Sequence, residues 1–254
     1  MIKNDHGKQD FYNYQAIARK QDNPIKVMHE ADRRKDRLNY LLGNWLPSDK
    51  NAIILEVACG AGVLMTWMKK LGYGQISGVD ISEEQTAIAK QCGLAVVTEE
   101  ALAFLAKCDD DHYDAIFALD FYEHLTPDQF VQFLAVANKK LKTKGILVLR
   151  GPNGDSPMLG AAFFNDITHE FCLTTNAMSQ SLRMYGFDNI EFVEESAARF
   201  QGSLFFIKPL YSFLRFFFKG VVKIISGHAI KYWDPSIFIK CEKNDENIWT
   251  SGSP

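Results

Sequence analysis

Ile53-Ile-Leu-Glu-Val-Ala-Cys-Gly-Ala-Gly62 is the stretch whose reading decides the fold. Its first five residues form a short, nearly continuous apolar run, the pattern of a strand covered on both faces. The run passes into a turn where Gly60 and Gly62 present no Cβ, so the backbone can turn tightly and a ligand can approach closely. A helical pattern over 63–71 follows, and then a second strand-like run, 75–80, ending in Asp80. Strand, turn, helix and strand in this order make a βαβ unit with parallel strands. Outward from it, further strand-like runs at 95–97, 113–118, 145–150, 190–194 and 236–242 alternate with amphipathic stretches at 83–91, 100–107, 127–142 and 175–185. The stretch 127–142 opens on Thr126, Pro127 and Gln129, a capping box with proline at the first helical position. This alternation predicts an α/β fold, a doubly wound, seven-stranded, mostly parallel sheet with helices on both faces.

The organisation expected around that sheet is simple. Residues 1–50, polar and helix-like with a basic cluster at Arg33, Arg34, Lys35 and Arg37, read as a helical N-terminal extension. Residues 51–243 read as the main domain, interrupted at 195–235 by an insertion where consecutive strands would ordinarily be joined tightly, and 244–254 as a flexible polar tail. With 47% hydrophobic and 23% charged residues in 254, the chain can bury a sizeable core and is not intrinsically disordered. A net charge of −3 gives no global pull toward nucleic acid, and none is expected as a partner. Cys59, Cys92, Cys108, Cys172 and Cys241 have neither C-x-x-C nor metal-ligand spacing and read as reduced thiols. The first ten residues lack the apolar segment of a secretory signal, and no uncharged run is long enough to span a bilayer. The expected location is the cytoplasm, with peripheral contact to the inner face of the cell membrane.

Gly-x-Gly alone is compatible with a tight turn that binds nothing. The third glycine of a dinucleotide fingerprint would fall at Met65, which sets NAD back as a cofactor. Taken together, Glu56-x-x-Cys-Gly-x-Gly62, Asp80, the Glu100-Ala101 pair and Ala118-Leu-Asp-Phe-Tyr-Glu-His-Leu125 resemble the motif series of class I S-adenosylmethionine-dependent methyltransferases, over residues 51 to about 195. The resemblance implies S-adenosylmethionine as the cofactor. Gly60 and Gly62 would form the turn beneath its methionine part, and Glu56 would orient that turn and the cofactor's amino group. Asp80 would hold the ribose and Ile81 would pack on the adenine. Glu100 and Ala101 would sit at the adenine edge, and Asp120 would open the loop near the methionine end. Positions 56 and 100 are Glu where Asp is usual in the family; both keep the charge.

The acceptor end is expected in the segment 151–174, long for a connection that usually takes roughly two to six residues. Asn165-Asp-Ile-Thr-His-Glu-Phe171 places two carboxylates and an imidazole there. A hydroxyl is a poor nucleophile at neutral pH, and an imidazole with a pKa of about 6.5 is suited to take its proton. His169 is therefore the expected base, with Asp166 or Glu170 as its orienter; His124 is a second candidate. The bland alternative is that Asp166 and Thr168 cap the following segment while His169 packs. A divalent ion held by Asp120, His124, Asp166 and His169 matches no metal spacing, and no metal is expected.

In the insertion, residues 196–233 contain no acidic side chain, while Lys208, Arg215, Lys219, Lys223 and Lys231 all lie there. On a helix the first four fall in one stripe of roughly 80°, and aromatic and aliphatic residues occupy the rest, with a bend expected at Gly220. Two readings stand: residues 203–228 lie on an anionic membrane through the basic stripe, or the helix is buried or covered by a second copy. The oligomeric state is not legible. Gly151-Pro-Asn-Gly-Asp-Ser-Pro, Asp166-x-Thr-His169-Glu, Gly186-Phe187 and the basic-aromatic segment resemble methyltransferases associated with bacterial surface polysaccharides. That implies O-methylation of a sugar in a glycan or lipid-linked glycan. The alternatives are a lipid-soluble acceptor such as a quinone precursor, a non-catalytic cofactor-binding scaffold, and a NAD-dependent reductase.

Overall fold

The computed structural model describes residues 22–199, 205–227 and 229–245. The remainder of the expected N-terminal extension, most of the expected tail, and 203, 204 and 228 of the expected membrane segment lie outside these residues. The strands are β1 (Ile53–Val57), β2 (Gln75–Asp80), β3 (Ala95–Thr98), β4 (Tyr113–Leu119), β5 (Leu141–Pro152), β6 (Phe187–Glu194) and β7 (Ser236–Lys243). They form one sheet in the order β3-β2-β1-β4-β5-β7-β6. β7 runs antiparallel to both β5 and β6, and the other pairings are parallel. The sheet is thus the expected seven-stranded, mostly parallel one.

The helices in chain order are α1 (Pro24–Leu42), α2 (Val63–Lys70), α3 (Glu83–Gln91), α4 (Ala101–Lys107), α5 (Pro127–Lys140), α6 (Leu159–Phe163), α7 (Thr175–Met184), α8 (Ser196–Arg199) and α9 (Lys208–Ser226). α5 stops at Lys140, two residues short of the sequence expectation, because Leu141 already sits in β5 opposite Tyr113. The capping box at its start forms: Thr126 Oγ1 accepts from Gln129 N, and Gln129 Oε1 accepts from Thr126 N.

Two cores lie on opposite faces of the sheet. On one, Leu105, Phe130, Phe133, Leu134, Met178 and Leu182 pack on Leu55, Ile116 and Leu149. On the other, α1 supplies Ala31, Leu38, Leu41 and Leu42 against Ile54, Phe117, Val148 and Phe238, with Trp67 and Met68 of α2 between them. The N-terminal helix is therefore a layer of the fold. It starts at Pro24, where Asn23 accepts from Lys26 N at 3.0 Å. Its Asn39 accepts from the Trp67 indole at 3.0 Å. Each fully buried Leu or Val here contributes about 1.5–3 kcal/mol relative to exposure.

Candidate functional site

The sheet changes direction of winding between β1 and β4, and ligands in open α/β sheets gather at the carboxyl ends of strands beside such a point. There β1 turns with Ala58, Gly60 and Gly62 all at positive φ (53°, 52° and 80°). Gly62 caps α2 and its carbonyl accepts from Thr66 N at 2.8 Å. A Cβ at Gly62 would overlap the Leu94 side chain. Gly62→Ala is expected to lower stability by about 1–3 kcal/mol, from positive φ and overpacking together, read as a reduced midpoint in urea denaturation. Met65 is buried, and a Cβ on Gly78 of β2 would sit 2.7 Å from its sulfur. The glycine that a dinucleotide fingerprint would put on the helix thus appears instead on the facing strand.

Asp80 closes the turn from β2. Its Oδ2 accepts from Gly60 N at 2.8 Å, and its Oδ1 accepts from Ser82 N at 2.8 Å. Beside it Glu56 is buried, with Oε2 making no hydrogen bond. Burial and then the Asp80 charge push its pKa well above the carboxylate range, against a hydrogen bond from the Met65 backbone. Ile81 is 38% exposed at the mouth of the turn. Glu100 spends both carboxylate oxygens on the start of α4, accepting from Leu102 N at 3.0 Å and Ala103 N at 2.7 Å. Ala101 is buried in the first turn of that helix. The structure therefore draws Glu56, Gly60, Gly62 and Asp80 together, leaves Ile81 open, and gives Glu100 a capping role.

Beyond β4, a cleft of about 410 Å³ is lined by Asp120, Glu123, His124, Arg150, Gly151, Pro152, Asn165, Asp166, His169 and Ser236, among others. Asp120 stands at positive φ (54°) and pairs with Arg150. Arg150 also reaches Glu195 at 3.1 Å, and Glu195 pairs with Arg37 of α1. The Tyr122–His124 turn is pinned beneath: Tyr122 donates to the Pro152 carbonyl at 2.8 Å, and Gly151 leaves room for its ring, which a Cβ there would strike.

The long segment after β5 is fastened at both ends. Gly154 N donates to Leu173 O at 3.0 Å, and Asp155 accepts from Thr175 N and Oγ1 at 2.9 and 2.6 Å. Glu170 N donates to Glu123 O at 2.7 Å. These bonds bring His169 against His124, with ring centroids 4.8 Å apart. His169 Nδ1 lies 2.7 Å from the Phe163 carbonyl, an acceptor only, so Nδ1 carries the proton and Nε2 the lone pair. The orienter of His169 Nδ1 is thus a backbone carbonyl, where the sequence pointed to Asp166 or Glu170. Asp166 Oδ1 accepts from Thr168 Oγ1 at 2.6 Å, so the hydroxyl in turn accepts from His124 Nδ1–H at 2.9 Å. Burial first, and then His169, pull the His124 pKa down to about 4, so its ring is neutral at pH 7.

Glu123 is the participant that the sequence expectation left out of the site. It is buried, with Oε2 making no hydrogen bond, and burial and the Asp120 charge push its pKa well above the carboxylate range. One ligand atom from each of Glu123, His124 and His169 lies within 4.8 Å of the others. Asp120, His124, Asp166 and His169, the set weighed from the sequence, do not make up this cluster. Arg150 and Thr168 were also missed. Arg150 left a signal, a lone cation at the end of an apolar strand.

This fold is that of the class I S-adenosylmethionine-dependent methyltransferases, and residues 54–145 match the family model described as a methyltransferase domain. The chain is similar over 84% of its length to a S-adenosylmethionine-dependent methyltransferase from Archaeoglobus fulgidus, with a TM-score of 0.60, 20% identity and 92% of that chain covered. It is 29% identical over 103 residues, 39% of its length, to a ubiquinone biosynthesis O-methyltransferase of Hydrogenovibrio crunogenus, and 32% identical over 98 residues, 38% of its length, to the cyclopropane-fatty-acyl-phospholipid synthase of Escherichia coli. The chain spans 42% and 25% of the lengths of these two curated relatives. The cofactor of the domain is S-adenosylmethionine. The residues present fit it: the buried Glu56 oxygen without a hydrogen bond suits an amino group, and the Asp80 carboxylate, fixed at the end of β2 by Gly60 N and Ser82 N, is an acceptor of the kind that ribose hydroxyls bind.

Proposed function

We propose that the chain transfers a methyl group to a sugar hydroxyl of a glycan or lipid-linked glycan. The observation that carries this reading is the pair of oriented imidazoles in the cleft, His169 with its Nδ1 proton held by a carbonyl and His124 with its Nδ1 held through Thr168 by Asp166. S-adenosylmethionine supplies an activated methyl on a sulfonium. What remains for the protein is to align the acceptor oxygen and remove its proton, and alignment alone supplies much of the acceleration. His169 Nε2 is the group placed to take the acceptor hydroxyl's proton, which would leave the oxygen lone pair free for the methyl group that the bound cofactor would supply. His124, already neutral, adds no opposing charge as the His169 imidazolium forms. Asp120, Arg150, Asn165, Asp166 and Ser236 offer donors and acceptors suited to a polyhydroxyl acceptor.

A second reading, a lipid-soluble phenolic acceptor such as a quinone precursor, is favoured by the similarity to the ubiquinone biosynthesis enzyme. Methyl-labelled cofactor incubated with glycolipid and quinone-precursor fractions separates the two, since acid hydrolysis yields a labelled O-methyl sugar in the first case and a labelled phenol ether in the second. Bound cofactor with no turnover on either would assign the chain to a scaffold role.

Cofactor binding is expected to depend on Asp80. Asp80→Ala should weaken S-adenosylmethionine by about 1.5–3 kcal/mol, because the ribose loses a charged acceptor and Gly60 N loses its partner. Titration calorimetry with unchanged affinity, or tight NAD binding, would reject the assignment.

A further inference from the structure

The charged side of α9 faces the protein. Arg215 pairs with Glu194 of β6 and donates to Tyr211 at 3.4 Å, Tyr211 donates to Asp234 at 3.4 Å, and Lys219 donates to the Lys231 carbonyl at 2.8 Å. Glu194 Oε1 also accepts from the backbone of Trp233 and, at 3.0 Å, Asp234. The opposite side is bare and apolar: Leu210, Phe213, Phe216, Phe217 and Ile224 lie there, with Phe216 79% and Ile224 85% exposed. The sequence expectation of a basic stripe turned to lipid is corrected for Arg215 and Lys219, because Glu194 on the sheet edge and the Lys231 carbonyl hold them inward. The helix also continues through Gly220 without interruption.

We infer that this apolar face seats in the headgroup–acyl boundary of an anionic phospholipid leaflet. No helix among the described residues is long and apolar enough to cross a bilayer, so the face would lie in the surface plane. Charge complementarity selects the occupant: Lys208 and Lys223 of α9 and Lys231 just after it are exposed, and no acidic residue occurs in 196–233. The segment that holds α9 from the protein side is also tied to the strand that lines the acceptor cleft. Ser156 Oγ donates to the Trp233 carbonyl at 2.7 Å, and Asn153 Nδ2 donates to the Tyr232 and Asp234 carbonyls at 3.2 and 2.8 Å, two residues before cleft-lining Ser236. The inference deepens the proposed reading, resting on it for what the surface presents to the cleft; membrane binding itself is measured without turnover.

The test is flotation of the full chain with phosphatidylglycerol–phosphatidylcholine vesicles and with phosphatidylcholine alone. The wild type is expected to float with the anionic vesicles and less with the neutral ones. The triple variant Phe213→Ser, Phe216→Ser, Ile224→Ser should lose at least tenfold in partitioning while keeping its thermal midpoint and cofactor affinity, since the three side chains are exposed. Lys208→Gln with Lys223→Gln should weaken anionic binding several-fold at low salt and less at high salt. A wild type that does not float with anionic vesicles, or a triple variant that floats equally well, overturns the inference. So does a wild-type dimer in sedimentation that the triple variant abolishes with no vesicle binding by either, because a second copy then covers the face.

Discussion

His169→Ala is expected to lower kcat by roughly 10² to 10⁴ with cofactor affinity unchanged, the range set by loss of a positioned base. His169 lines the acceptor cleft, and Glu56, Gly60 and Asp80 are not part of that lining, so cofactor binding provides an internal control for folding. His169→Gln keeps a polar side chain near the Phe163 carbonyl but has no titratable nitrogen, and it should be as slow as the alanine variant. Single-turnover rates at saturating cofactor read the chemical step directly. Retention of more than a tenth of wild-type activity by both variants would move proton removal to His124 or remove it from the mechanism.

The second large effect is on stability in acid. Folding holds His124 at about 4, against about 6.5 in an unfolded chain. Between those values the unfolded chain takes up a proton that the folded one refuses. The stability this group contributes is therefore intact above pH 6.5 and is lost progressively as pH falls toward 4, by about 3 kcal/mol in all. Glu56 and Glu123 act with the opposite sign: their raised pKa values mean a contribution present in acid and lost as pH rises through the folded-state values. They are common to wild type and variant, so a difference curve isolates the histidine. His124→Asn, which can still donate to Thr168, should show a flatter dependence of urea-unfolding free energy on pH between 6.5 and 4. Parallel curves would show that the imidazole is not held neutral by its surroundings.

Local chemistry explains what could be read from the sequence. β1, its glycine turn, α2 and Asp80 follow from residues within thirty positions of one another, and the strand and helix periods of the parallel half of the sheet are just as local. Early entry into β5 at Leu141 is not, because Tyr113 of a different strand provides the pairing. The cluster of Glu123, His124 and His169 joins two segments through the Glu170–Glu123 backbone bond, which no spacing announces. Glu100 looked like a ligand and is a cap, since a carboxylate before a helix suits either role equally in sequence. For α9 the angular pattern was readable but its handedness toward the protein was not. A helical wheel separates basic from apolar sides, and Glu194 of the edge strand β6, with Asp234 and the Lys231 carbonyl from the segment before β7, decides which side turns inward.

The N-terminal helix α1 covers one apolar face of the sheet. The matched methyltransferase segment ends well inside the sheet and begins after this helix, yet Ile54, Phe117 and Val148 are covered by it, and its Arg37 shares Glu195 with the cleft's Arg150. The length of chain that bears the recognisable motifs and the length that can stand alone in water are therefore different. A fragment cut to the motif boundaries would expose an apolar wall and would release one end of a charge relay that terminates at Asp120, so activity in such fragments would report on lost architecture before it reported on chemistry.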